Sequence, residues 1–286
     1  MDPRVAPRRH GLLRRSVFAA LAVASRALGG RALYRRRHLA RGRFVVREER
    51  VELPDLHPDL EGLVLAQLSD LHAGPWMGPG DLTDVVCVVG EHQPDLIVLT
   101  GDFLTRDHRD VERVIGELSR LHAPLGAYAV FGNHDYRGRQ EAELARALAG
   151  AGVTVLRDAS VHLERGRGTL ALVGLEDLEE ARVIDLDAAL SGVHEADTVV
   201  ALCHHPAGAR ALADRGVSLV LSGHTHGTQV DLPFLRRLGP AHPGLRIELG
   251  GTLLLVSRGL GAVGPPVRIG APAEVVLVTL VRAPSA

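Results

Sequence analysis

The sequence predicts an α/β fold, for three reasons. Short, continuous apolar runs recur along the chain and are typical of strands buried on both faces. Stretches with helical character separate these runs, and alternation of the two is the pattern of an α/β protein. After Gly152 the runs become shorter and more frequent. This strand-rich second half fits two sheets packed face to face with helices outside.

The elements can be predicted in chain order. Residues 43–53 alternate loosely and predict an entry strand, and residues 54–58 hold the prolines of a turn. Five apolar runs predict core strands at 63–68, 96–99, 127–131, 198–202 and 219–221. The predicted helices are 81–92, 110–122, 140–151, 186–194 and 207–215. Further strands are predicted at 153–156, 161–164, 170–173, 253–256 and 275–281.

Polar segments with Asp, Asn or His directly follow the five core runs. They are Ser69-Asp-Leu-His72, Thr100-Gly-Asp102, Gly132-Asn-His-Asp135, Cys203-His-His-Pro206 and Ser222-Gly-His-Thr-His226. In open α/β sheets, ligands bind beyond the carboxyl ends of the strands. We therefore expect the five segments to meet at one edge, although they lie far apart in sequence.

The mixture of side chains suits two metal ions. Two divalent cations about 3.5–4 Å apart need a short bridging carboxylate and neutral ligands that leave positions open for water and substrate. Asp102 is the natural bridging residue among these segments.

The motifs D-x-H, G-D, G-N-H-D, H-x-P and G-H-x-H, in this order, resemble the calcineurin-like metallophosphoesterase superfamily from about residue 62 to 281. The resemblance implies a four-layer α/β/β/α sandwich of two mixed sheets flanked by helices. It also implies two divalent ions, of Mn, Fe or Zn. The ligands that it implies are Asp70, His72, His226 and Asp102 for the first metal, and Asn133, His204, His224 and the same Asp102 for the second.

Three further stretches, 68–72, 94–102 and 257–268, are similar to an exported or membrane-associated bacterial branch of that superfamily. Some members of the branch act on lipid-linked or nucleotide-sugar diphosphates. The implied reaction is hydrolysis of a phosphodiester or pyrophosphate by a metal-bridging hydroxide, with His134 protonating the leaving oxygen. The alternatives are a phosphomonoesterase and a non-catalytic metal-binding module on the same fold.

One position departs from the superfamily pattern. Many of its phosphatases carry a second acid that orients the histidine of G-N-H, and Thr105 stands in that place here. Asp135 and Asp107 are the alternative partners for His134.

Three residues are candidates for substrate contacts. Arg106 and Arg258 carry planar guanidinium groups that suit paired phosphate oxygens, and His205 adjoins the H-x-P histidine. His204 and His205 both stand where a metal ligand is expected. The H-x-P spacing favours His204 as the ligand and leaves His205 for the substrate.

The charge distribution divides the chain into a basic arm, residues 1–45, and a domain, residues 46–286. The arm holds 12 arginines and one aspartate, although the whole chain has a net charge of -1. Arg14-Arg15 followed by the apolar run 17–24 resembles a twin-arginine export signal. The alternatives are a segment lying on anionic lipid and a solvated tail of a cytoplasmic protein. Nucleic acid is disfavoured, because no aromatic residues alternate with the arginines.

Overall fold

The computed structural model describes residues 23–24, 29–181, 183–194, 197–231, 242 and 244–283. Arg14-Arg15 and most of the apolar run that follows lie outside these residues. None of the helices in the described ranges is long and apolar enough to cross a membrane.

Two six-stranded mixed sheets form the centre of the fold. The first has the order β1-β12-β2-β3-β4-β5 and the second β10-β11-β9-β8-β7-β6. The strands of the first sheet are β1 (Val45–Leu53), β2 (Val64–Leu68), β3 (Leu96–Thr100), β4 (Ala127–Val130), β5 (Val153–Val155) and β12 (Glu274–Arg282). Those of the second are β6 (Ala159–Arg165), β7 (Gly168–Gly174), β8 (Thr198–Leu202), β9 (Leu219–Ser222), β10 (Arg246–Leu249) and β11 (Thr252–Val256).

Alternation along the strands produces three apolar layers. On β3, Leu96 and Val98 point into a layer between the two sheets, whereas Ile97 and Leu99 point into the layer beneath the outer helices of the first sheet. Strand β8 repeats the arrangement, because its odd and even residues contribute to different layers. Three apolar layers between four structural layers confirm the predicted α/β/β/α sandwich.

The outer helices that the sequence predicts are shorter in the structure, and the helix at Gly30–Tyr34 was not predicted. They are α1 (Gly30–Tyr34), α2 (Thr83–Glu91), α3 (Ile115–Leu118), α4 (Glu141–Gly150), α5 (Leu186–Leu190) and α6 (Gly208–Ala213). The helix predicted at 110–122 is split into a 3-10 helix, His108–Arg113, and the single turn α3. Val114 separates them with φ -124 and ψ -9. Valine and glycine at this junction favour the interruption, because both have low helix propensity.

The described end of the basic arm packs on the domain. Helix α1 continues as a π-helix, Arg35–Leu39, that the sequence did not indicate. Tyr34, Leu39 and Phe44 are buried in the same apolar layer as α2 and α4. Three apolar residues spread among many arginines give no recognisable period, so sequence reasoning assigned this segment to the arm.

Candidate metal centre

The loops that follow five strands carry the predicted ligands to one place. Asp70 and His72 follow β2, Asp102 follows β3 and Asn133 follows β4, and these strands are neighbours in the first sheet. His204 follows β8, and His224 and His226 follow β9, its neighbour in the second sheet. A buried contact joins the two edges, since the Gln67 amide donates to the carbonyl of Ser222 at 3.0 Å.

Asp70, His72 and His226 form the first cluster, here called the Asp70 group. Nε2 of His72 and Nε2 of His226 lie 3.0 Å apart, and Asp70 Oδ1 lies 3.3 Å from the latter nitrogen. The three side chains are 0%, 0% and 6% exposed for Asp70, His72 and His226, respectively. A carboxylate oxygen and two imidazole nitrogens converging in this way form a donor set for a divalent transition metal.

Asp102 lies between the two sets of predicted ligands. Its Oδ2 atom is 3.4 Å from Nε2 of His72 and also 3.4 Å from Nε2 of His204. Its Oδ1 atom accepts a hydrogen bond from the backbone N–H of His134 at 2.8 Å. Burial opposes ionisation, but the nearby His204 and His134 outweigh it and hold the pKa of Asp102 well below its ordinary value. An ionised carboxylate in this position has the geometry of a bridging ligand.

The orientation of His204 is fixed by the backbone. Nδ1 of His204 lies 2.7 Å from the carbonyl of Thr100, to which it donates as the N–H tautomer. This leaves Nε2 facing Asp102, and that nitrogen is buried without a hydrogen-bond partner in the part of the chain that the structure describes. Histidine ligands usually donate their other N–H to a carbonyl or carboxylate. A metal ion at Nε2 would satisfy the orphaned atom, so the residues present fit such an ion.

His224 turns its two ring nitrogens toward different partners. Nδ1 lies 3.3 Å from Oδ1 of Asn133, and Nε2 lies 3.8 Å from Oε1 of Glu179. The same oxygen of Glu179 is 3.8 Å from Nε2 of His205. Glu179, His205 and His224 form a second cluster, here called the Glu179 group, whose side chains are 8%, 15% and 13% exposed.

Several of the predicted ligand positions have an unusual backbone conformation. Asp70, His72, Asp102, His224 and His226 all have φ between 49 and 68. Non-glycine residues seldom adopt this left-handed region, and those that do cluster at functional sites. Glycine is required beside them. A Cβ on Gly132 would meet Asp102, and one on Gly223 would meet Asp70.

His134 is oriented by a backbone carbonyl instead of a carboxylate. Its Nδ1 lies 2.8 Å from the carbonyl oxygen of Thr105, and its ring packs edge-on against His72. Neither of the alternative acids takes this role. Asp135 accepts from the backbone N–H groups of Leu104 and Gly132, and Asp107 pairs with Arg109.

Burial lowers the pKa of His134 to about 4, and the charge of Arg137 adds to this effect. Nδ1 of His134 contacts both the carbonyl of Thr105 and Nη1 of Arg137, the latter at 2.9 Å, so both contacts lie on the Nδ1 side of the ring. His134 is therefore neutral near pH 7 in the metal-free, substrate-free protein.

The three predicted substrate contacts lie in different settings. Arg106 is exposed, and its side chain forms no hydrogen bond or ion pair with the described residues. His205 belongs to the Glu179 group, next to His224. Arg258 instead donates from Nε to the fully buried Glu274 at 2.7 Å. Both Nε and Nη2 of Arg258 therefore face a buried acid, and its contact with substrate stays a prediction.

Sequence reasoning missed the acidic loop after β7. Oδ1 of Asp177 accepts from the backbone N–H groups of Glu179 and Glu180, both at 2.9 Å, which holds the turn that carries Glu179 toward the site. Burial raises the pKa of Asp177 to about 6 and that of Glu179 to about 7. The signal was present, because Glu176-Asp177 follows the apolar run 170–173 as the other polar segments follow theirs.

Comparison with known proteins identifies the family. Residues 63–228 match the family described as calcineurin-like phosphoesterase. The chain is 31% identical to the uncharacterised metallophosphoesterase YkuE of Bacillus subtilis over 93% of this chain and 95% of that protein. The chain belongs to the calcineurin-like phosphoesterase family, whose members depend on a dinuclear metal centre.

Two further comparisons extend this result. A transmembrane protein with a metallophosphoesterase domain from Danio rerio is 33% identical to this chain. The match covers 82% of this chain and 57% of that protein. The structure is similar to that of the sulfate thiohydrolase SoxB of Thermus thermophilus, with a TM-score of 0.50, 16% sequence identity, and coverage of 78% of this chain and 57% of that one. The latter similarity shows the fold alone.

Proposed function

We propose that this protein is a two-metal phosphoester hydrolase that acts on phosphodiester or pyrophosphate bonds. The observation that carries the proposal is the position of Asp102, whose Oδ2 is 3.4 Å from one histidine of each predicted ligand set. A carboxylate shared in this way is the usual bridge of a two-metal hydrolytic site.

The Asp70 group and Asp102 would hold one ion, and Asn133, His204, His224 and Asp102 the other. Divalent cations bound there lower the pKa of water and offset the charge that develops at phosphorus. Carboxylate, imidazole and amide ligands accept Mn²⁺, Fe²⁺ or Zn²⁺. The protein's own contribution is to hold these ligands before substrate arrives, which the left-handed backbone at Asp70, His72 and His226 supports.

His134 would transfer a proton to the leaving oxygen. Nδ1 is occupied by the carbonyl of Thr105 at 2.8 Å and by Nη1 of Arg137 at 2.9 Å, so Nε2 is the nitrogen that would carry the transferred proton. Burial keeps His134 neutral in the free protein, with a pKa of about 4. A bound phosphate raises that pKa, because a negative charge nearby favours the charged form of the ring. His134 thus becomes a proton donor when a substrate is present.

The preference for diesters is supported by the acidic loop after β7. Glu179 approaches His224, and Glu176, Asp177 and Glu180 lie within three residues of it. A phosphomonoester carries up to two negative charges at its phosphorus centre, whereas a diester or the phosphorus of a substituted pyrophosphate carries one. Burial raises the pKa of Glu179 to about 7, so above that pH the ionised loop repels the monoester more than the diester. The substrate class that we propose is a lipid-linked or nucleotide diphosphate.

We also propose that the basic arm directs the protein to the membrane or through it. The support is its arginine content and the exposed Arg35, Arg36 and Arg37 at its described end. A cavity of about 370 Å³ is lined by Leu33, Arg36, Arg37 and Arg43 and would suit an anionic headgroup. Cosedimentation of the full chain with vesicles of anionic phosphatidylglycerol, but not of phosphatidylcholine, would support this location. Equal failure with both would overturn a membrane-binding role of the arm.

The hydrolytic function is tested with the full chain, stripped of metal and then supplied with Mn²⁺, Fe²⁺ or Zn²⁺. The rates of hydrolysis of bis(p-nitrophenyl) phosphate and p-nitrophenyl phosphate are compared, and Asp102→Asn prepared in parallel is the control for contaminating enzymes. We expect metal-dependent cleavage with the diester preferred. A monoester preference would overturn the substrate class, and metal-loaded protein that cleaves neither ester nor a nucleotide diphosphate would overturn the enzymatic function.

A further inference from the structure

Tyr34 of helix α1 links the described end of the basic arm to the interior of the domain. Its side chain is 1% exposed. Its hydroxyl shares one proton between the carbonyls of Leu260 and Gly261, which lie at 2.6 Å and 2.8 Å. The same hydroxyl accepts a hydrogen bond from Nε of Arg268 at 3.0 Å. Tyr34 thus joins α1 to two parts of the loop that precedes β12.

Arg268 continues this connection to the Asp70 group. Its side chain is buried, and Nη2 lies 3.3 Å from Nδ1 of His226. Other guanidinium nitrogens donate to the carbonyls of Gly261 and Ala271. His72 is stacked on the His226 ring with a centroid distance of 4.9 Å. The ring of His226 therefore contacts Arg268 through Nδ1 and His72 through its face.

The loop held by Tyr34 also supports Asp70. The backbone N–H of Leu260 donates to the carbonyl of Ser69 at 3.0 Å, and that of Gly261 donates to the carbonyl of Asp70 at 2.7 Å. A Cβ at Gly259 would overlap Cβ of Asp70 at 2.6 Å, and Gly259 has φ 69. The loop therefore packs directly against a ligand position whose own φ is 52.

We propose that Tyr34 and Arg268 are positioning residues for the Asp70 group, so that helix α1 is a structural part of the metal centre. The inference rests on the proposed two-metal function and adds residues outside its ligand set. Residues that fix the position of a metal ligand usually contribute tenfold to a hundredfold to metal affinity. Arg268 can only donate, so it acts through the carbonyls of Gly261 and Ala271 and hence through the loop that supports Asp70, and not by accepting the N–H of His226. By contrast, no described contact of Tyr34 or Arg268 involves Asn133, His204 or His224.

The test measures Mn²⁺ affinity by calorimetry in two single-site backgrounds of the full chain. His224→Ala leaves the Asp70 group intact, and His226→Ala leaves the other ligand set. Tyr34→Phe removes only a hydroxyl. We expect it to weaken Mn²⁺ binding about tenfold in the His224→Ala background and to change it less than about twofold in the His226→Ala background. Arg268→Met should reproduce this asymmetry.

Tyr128→Phe is the matched control, since Tyr128 lies on β4 away from the loop at 259–268. Thermal unfolding of the metal-free variants reports any general loss of stability. Equal weakening in both backgrounds, no weakening in either, or the same effect from Tyr128→Phe would overturn the positioning role. A parent protein that binds fewer than two Mn²⁺ ions would overturn the two-metal function as well. If the parent protein binds two Mn²⁺ ions and Tyr34→Phe leaves the Mn²⁺ affinity unchanged, only the positioning role is overturned.

Discussion

The Asp70 group and the Glu179 group lie at the same edge of the sandwich but are held differently. The Asp70 group is almost fully buried, and all three of its residues have left-handed backbones. The Glu179 group is 8% to 15% exposed, and only His224 among its members has positive φ. Since the Asp70 group is buried and the Glu179 group is more accessible, we expect a substrate to approach from the Glu179 side.

The largest expected effect is that of Asp102→Asn, which removes the negative charge shared by the two predicted ligand sets. Bridging and charge stabilisation by a two-metal site contribute several kcal/mol, so we expect kcat/KM for bis(p-nitrophenyl) phosphate to fall roughly a thousandfold. Initial rates at saturating Mn²⁺ check this expectation. Near-normal turnover would show that Asp102 is not the bridge and that the two groups act separately.

His134→Ala should give the next largest effect and should depend on the leaving group. General acid catalysis contributes about 10²–10⁴-fold where the leaving oxygen needs a proton. We expect losses in that range for an alkyl phosphodiester or a nucleotide diphosphate, and a much smaller loss for the nitrophenyl diester. Rates on both kinds of substrate decide the matter, since equal losses would remove His134 from the acid role.

The two proposed metal ions should be released at different rates. Three ligands of the first ion have left-handed backbones that preset its site, whereas among Asn133, His204 and His224 only His224 does. Chelation by EDTA should therefore proceed in a fast and a slow phase that differ about tenfold or more. His224→Ala should abolish the fast phase, and His226→Ala the slow one. Stopped-flow release of Mn²⁺ measures both. A single phase in the parent protein would mean that the difference in backbone conformation has no consequence for the ions.

The smallest expected effect concerns Glu179. Its carboxylate faces Nε2 of His224 at 3.8 Å, where it can fix the ring so that Nδ1 points to Asn133. We expect Glu179→Gln to weaken the second Mn²⁺ about tenfold or less and to leave the first unchanged. Glu180→Gln, an exposed acid in the same turn, is the matched control. If both variants behave alike, Glu179 has no individual role in holding His224.

Most of the fold was predictable because the core strands are continuous apolar runs. The strands β2, β3, β8 and β11 begin and end within one residue of their predicted bounds. The short edge strand β10 was missed, since its residues are exposed or half-buried and carry no apolar run. The predicted helices were too long at their ends, because the apolar periodicity of a sequence does not show where packing stops stabilising a helix.

The predicted ligands converge because each follows a strand whose carboxyl end faces the same edge. What the sequence hid are contacts made through backbone groups and distant loops. The carbonyl of Thr105 replaces a carboxylate beside His134, and a carbonyl leaves no signature in the sequence. The link from Tyr34 through Arg268 to His226 joins residues 42 to 234 positions apart, and only the folded chain reveals it.

The most direct test is a crystal structure of the full chain loaded with Mn²⁺, with anomalous data collected near the manganese absorption edge. We expect two peaks about 3.5–4 Å apart on either side of Asp102, one within bonding distance of the Asp70 group and the other of Asn133, His204 and His224. A single peak, or an ion held by Glu179 and His205 and remote from Asp102, would contradict it.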